Sequence, residues 1–120
     1  MPRILNLLAI CIGLQHIYIM VLEMFLWRKP LGLKTFGNSP EKAETMAVLA
    51  ANQGLYNGFL AAGLLWSAWA DPSQAMALRN FFLACVSVAG IYGGLSVSRR
   101  IFFIQGLPAL VTLGLSLSLR

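Results

Sequence analysis

The chain has 120 residues, 58% of them hydrophobic and only 11% charged, with a mean hydropathy of +0.74. A soluble domain carries roughly 25% charged residues, so this composition excludes an ordinary water-exposed surface and points to one domain within a membrane. The net charge of +5 does not signal nucleic acid, because the basic residues cluster between apolar runs, where they orient a membrane protein.

Four apolar runs follow one another, at about residues 4–27, 46–69, 75–97 and 101–119. Each is close to the ~20 residues that a helix needs to cross the hydrocarbon core. Lipid offers the backbone no hydrogen-bond partners, so runs of this length are helical. Short connections make neighbouring helices antiparallel. The expected fold is all-α, an integral membrane four-helix bundle in a single domain.

The first run opens M-P-R-I-L-N-L-L-A-I-C, which imitates a lipoprotein signal. That reading needs a small residue before Cys11, and Ile10 is not small. No A-x-A-like cleavage site follows, so the run is read as a span. Cys11 and Cys85 lie inside apolar runs with no Cys or His at ligand spacing. They are expected to be reduced, small hydrophobes, with neither a metal site nor a cofactor.

Loop one, W-R-K-P-L-G-L-K-T-F-G-N-S-P-E-K-A-E-T, holds Pro30, Gly32 and Gly37. Its end places Ser39 as N-cap, Pro40 at the first helical position and Glu41 at the positive helix end, so helix two is predicted to start near Pro40. Loop two, A-D-P-S, repeats the device with Asp71 and Pro72. Loop three, S-V-S-R-R, is tight. Pro108 in the fourth span removes a backbone bond and predicts a kink.

Loops one and three carry Arg28, Lys29, Lys34, Lys42, Arg99 and Arg100. The termini and loop two carry Arg3, Arg79 and Arg120. This bias predicts loops one and three in the cytoplasm and both termini outside. Gly54, Gly58 and Ala62 in span two, and Gly90, Gly93 and Gly94 in span three, let helix backbones approach closely, and such faces also suit a homo-oligomer.

Polar residues interrupt this apolar frame. Span one carries Gln15, His16 and Glu23. His16 and Glu23 are seven residues apart, so they share a face about 10 Å apart along the axis. Span two carries Asn52, Gln53, Tyr56 and Asn57 within six residues. Setting Trp27 level with Val48 brings Glu23 level with Asn52, Met20 against Tyr56, and Asn57 towards His16. The same count brings Tyr92 and Gln105 to that half of the membrane. The candidate ligand-binding set is therefore His16, Glu23, Asn52, Gln53, Tyr56, Asn57, Tyr92 and Gln105.

Each member also has a plainer reading. Glu23 is near the end of its span and could pair with Arg28 or Lys29. His16 could be a hydrogen-bonded packing residue. The amides could join helices, at ~0.6–2 kcal/mol each. Trp66 and Trp69 read as interfacial belt residues.

The stretches H-I-Y-I-M-V-L-E-M-F-L-W (16–27), N-Q-G-L-Y-N-G-F-L-A-A-G-L (52–64), A-G-I-Y-G-G and Q-G-L-P-A carry a resemblance. Over nearly its whole length the chain resembles a family of small bacterial membrane proteins, domain of unknown function thirteen-zero-four. The resemblance implies a four-span protein of the bacterial inner membrane and carries no activity or catalytic residue with it. Small multidrug transporters are also four-span chains with a Glu in helix one, but theirs lies deeper and they lack N-Q-G-L-Y-N; the likeness is of architecture.

Two functional readings remain. In the first, the helices enclose a polar pocket for a lipid or small amphiphile, held at its polar end by Glu23, His16 and Asn52. In the second, a homo-dimer carries out proton-coupled transport through Glu23 and His16. A membrane enzyme acting on a lipid-soluble substrate is a third, less supported reading, because no activated nucleophile, cofactor motif or metal shell accompanies His16, Glu23 and Tyr56. The expected partners are membrane lipids, a small amphiphilic ligand and a second copy of the chain.

Overall fold

The computed structural model describes residues 2–119. These fold as helices α1 (Pro2–Met24), α2 (Pro30–Phe36), α3 (Pro40–Trp69), α4 (Pro72–Ser96) and α5 (Arg99–Ser118), with no strand among the described residues. Three of them, α1 from Arg3, α4 and α5, are long and apolar enough to cross a membrane. Helix α3 is longer, at 30 residues, but Asn52, Gln53 and Asn57 interrupt its apolar run.

The helix starts follow the local chemistry. The Ser39 hydroxyl accepts the Lys42 backbone N–H at 3.2 Å, and Pro40 opens α3. Pro72 opens α4, where the Asp71 carbonyl, not its side chain, receives the first bonds from Gln74 and Ala75. Ser98 caps α5 by accepting the Arg100 N–H at 3.2 Å.

The chain divides into two compact units, residues 14–61 and the remainder. In the 14–61 unit, the α1 segment packs on α3 at glycines. A Cβ at Gly58 would lie 2.8 Å from Met20 Sδ, and one at Gly54 would lie 2.6 Å from Met24 Cγ. Helix α1 stops at Met24, earlier than the expected end of span one. Trp27 sits beyond it, buried in the turn, and donates its indole N–H to the Ala43 carbonyl at 2.9 Å. Its ring lies 4.9 Å from that of Phe36. The segment read as loop one thus holds α2. Pro30 starts that helix, and Gly37, at φ +67°, ends it in the left-handed conformation that glycine adopts without steric cost. Gly32 permits the docking: a Cβ there would meet the Leu26 carbonyl oxygen at 2.0 Å.

In the other unit, α4 and α5 form a close pair. A Cβ at Gly90 would lie 2.3 Å from Gly106 Cα, while Gly93 faces Ile101 and Gly94 faces Phe102. Gly63 of α3 rests on the Phe82 ring. Leu64, Leu83, Val86 and Ala109 are buried here. The distortion expected around Pro108 is a π-helical turn at Phe102–Gly106, just ahead of the proline, in which the Leu107 N–H reaches back to the Phe102 carbonyl. A proline ring clashes with the carbonyl four residues earlier in a regular helix, and a widened turn relieves that clash.

Candidate functional site: a cleft beside Glu23

Glu23 lies one residue before the end of α1 and is 8% exposed. Gly54 allows α3 this close, since a Cβ there would sit 3.1 Å from Glu23 Cβ. One turn further along α3, the Asn57 side-chain amide donates to Glu23 Oε1 at 2.7 Å. A buried carboxyl group needs a hydrogen-bond partner, and this amide supplies one.

Glu23 forms part of the wall of a cleft of about 800 Å³. Its polar rim holds Arg28, Lys29, Glu44 and Asn52, and its apolar wall holds Met24, Trp27, Val48, Ala51 and Leu55. Arg28 pairs with Glu44 at 2.8 Å, both side chains being well exposed. The cleft therefore joins an apolar wall to a rim carrying both signs of charge. That is the lining expected for an amphiphile with a polar head.

The predicted set is distributed unevenly. Glu23 and Asn57 are in contact. Asn52 lines the same cleft but donates its amide to the Val48 carbonyl of its own helix at 3.2 Å, not to Glu23. Gln53 is exposed. Tyr56 is 63% exposed, with its ring edge-on to Phe59 at 5.9 Å, and the residue set against Met20 is Gly58. His16 is wholly buried. Tyr92 and Gln105 belong to the other unit, where Tyr92 is 72% exposed and Gln105 is half-buried. Among the described residues, no three His, Cys, Asp or Glu side chains gather as metal ligands. Cys11 and Cys85 are free thiols, and Cys11 is exposed.

Sequence reasoning missed a second polar group. It grouped Arg79 with the residues of loop two, yet Arg79 lies two turns inside α4 and is buried. Its Nε–H donates to Ser116 Oγ at 3.0 Å, and the Ser116 hydroxyl donates to Asn80 Oδ1 at 2.6 Å. The adjacent Arg79-Asn80 pair in an otherwise apolar helix was the available signal. Nothing in the sequence marked Ser116 as its partner.

No solved structure matches the chain. It is 30% identical over 109 residues to an uncharacterized protein, YpaA, of Lactococcus lactis subsp. lactis (strain IL1403), an alignment covering 89% of this chain and 91% of that protein. A family model matches residues 10–117. The chain belongs to the family that this model describes, the protein of unknown function family DUF1304.

Proposed function

We propose that this is a small membrane protein that binds a lipid or other small amphiphile in the cleft beside Glu23. The observation that carries this reading is the junction of a buried carboxyl group, fixed by Asn57, with a cleft of about 800 Å³ lined by both apolar and polar side chains. Pockets that hold small molecules are typically apolar, with a few placed polar groups, and occupy about 300–1,000 Å³. The ligand's polar head would meet Glu23 and the rim charges, and its apolar part would lie along Val48, Ala51 and Leu55.

Four membrane crossings fit this function. A 30-residue helix such as α3 is about 45 Å long, more than a bilayer core requires. Its amides then have a purpose in the bilayer: Asn57 serves Glu23, while the exposed Asn52, Gln53 and Tyr56 offer polar contacts to a ligand or to a second copy of the chain. Arg28 and Lys29 at the cleft, with Lys34 in α2, favour placing that end in the cytoplasm of a bacterial inner-membrane protein.

Asn52→Leu tests the reading cleanly. Asn52 is exposed and its amide bonds to the Val48 carbonyl of its own helix, so its loss leaves the fold in place. Native mass spectrometry of protein released in minimal detergent is expected to show a stoichiometric small-molecule adduct on the wild type. Asn52→Leu should weaken it, and Glu23→Leu should abolish it. A wild-type protein with no adduct, or one held equally by all three proteins, rejects the cleft as a binding site.

One observation favours proton-coupled transport as a second reading: α1 buries two titratable groups, His16 and Glu23. In reconstituted vesicles, Glu23→Gln would then abolish proton-coupled flux while leaving the fold intact. Normal flux in that variant excludes Glu23 as the carrier.

A further inference from the structure

Arg79 is 7% exposed, and no carboxylate lies within ion-pair distance of it among the described residues. Ser116 occupies its Nε–H and is itself held in place by Asn80. This clamp fixes the plane of the guanidinium but uses only one of its five N–H donors. Among the described residues, no other hydrogen bond to this guanidinium is present. Arg79 also lines a cavity of about 340 Å³, together with Ser116, Asn6, Ser67 and Met76 among others.

We infer that this cavity is an oxyanion site, and that Arg79, clamped by Ser116, binds the phosphate group of an anionic amphiphile or free phosphate. A guanidinium largely withdrawn from solvent favours a nearby counter-charge, and an anion in the cavity would supply one. A guanidinium held at Nε presents its Nη edge as a fork that matches two phosphate oxygens. Asn6 adds an amide donor, whereas the Ser67 hydroxyl is committed to the Leu64 carbonyl at 2.6 Å.

The depth of the site favours a lipid source. Arg79 lies seven residues beyond Pro72, about 10 Å along α4. Trp66 and Trp69, both exposed, end α3 just before that turn, where aromatic side chains mark the headgroup level. A lipid phosphate drawn slightly below this level would meet the guanidinium, and its acyl chains would follow the apolar wall.

The test uses the full chain in a neutral detergent. The thermal midpoint is followed while phosphatidylglycerol, diacylglycerol with the same chains, or inorganic phosphate is added. Phosphatidylglycerol should raise the midpoint and saturate at a concentration at least about tenfold below that of diacylglycerol, as expected for a charge-assisted contact. Saturation by inorganic phosphate at comparable concentrations would identify free phosphate as the ligand; no response to it would identify the lipid. Arg79→Met keeps the apolar stem and should lose the distinction between phosphatidylglycerol and diacylglycerol. Asn6→Ala leaves the clamp untouched and should weaken the response severalfold, which covers a failure of Arg79→Met to fold. The proposal is overturned if the wild type responds equally to phosphatidylglycerol and diacylglycerol and ignores phosphate. It is also overturned if folded Arg79→Met still discriminates, or if Asn6→Ala responds as the wild type does.

Discussion

Asn57 donates its side-chain amide to Glu23 Oε1 at 2.7 Å, joining α3 to the end of α1. The bond is between two side chains 34 positions apart, so it also fixes the register of the two helices. Asn57→Leu removes the donor and leaves the carboxyl group buried, which should cost about 1–3 kcal/mol. Removing both polar groups in Glu23→Leu with Asn57→Leu should cost less than the sum of the single changes, because neither is then left without its partner. Reversible unfolding of the four proteins in one detergent measures this. Additive losses would mean that the two side chains do not depend on each other.

Trp27 anchors the turn after α1 through its bond to the Ala43 carbonyl. Trp27→Phe keeps most of the ring, including a contact with Phe36, but removes the indole N–H. About 1 kcal/mol should be lost, felt mainly where α2 docks. Limited proteolysis should then cut residues 30–39 faster than in the wild type. An unchanged cutting rate would show that ring burial alone holds α2.

The Arg28–Glu44 pair also lies on the cleft rim, but both side chains are largely exposed. Exposed pairs contribute about 0–1 kcal/mol and are screened by salt. Glu44→Gln should therefore leave the unfolding midpoint nearly unchanged. If the cleft binds an amphiphile, the same variant should alter its retention, because it leaves Arg28 uncompensated at the rim. A large stability loss without any change in retention would make the pair a structural tie.

Much of this arrangement was legible in the chain, because proline, serine and glycine act locally. Pro40 and Pro72 open helices where the sequence places them, and Ser39 caps as its position implies. Helix α2 was missed for the opposite reason. Pro30 and Gly37 read as breakers, yet they are also the start and stop signals of a two-turn helix. Pairing across helices was harder to read. Counting back from Trp27 as if α1 continued through it set Glu23 against Asn52, five positions from its actual partner. The count failed because α1 ends at Met24, and turn residues do not advance along the helix axis as helical ones do. Ser116 carried no signal at all, since a serine within an apolar helix normally bonds to its own backbone.

The glycines allow a sharper test of close packing than helix propensity does. Gly90 and Gly114 both lie inside helices, so an alanine at either gains the same intrinsic preference, about 0.5–1 kcal/mol in an aqueous helix. Their surroundings differ completely. A Cβ at Gly90 would lie 2.3 Å from the backbone of Gly106, which cannot turn aside as a side chain can. A Cβ at Gly114 would find no atom within 4 Å. Gly90→Ala must therefore force α4 from α5 at the π-helical turn, and overpacking of this kind costs about 1–3 kcal/mol. Gly114→Ala should be neutral or slightly stabilising. Unfolding midpoints of the two variants in the same detergent decide the point. Equal midpoints would refute the backbone contact of Gly90 with Gly106, and a loss confined to Gly90→Ala would identify that contact as the place where α4 and α5 are locked together.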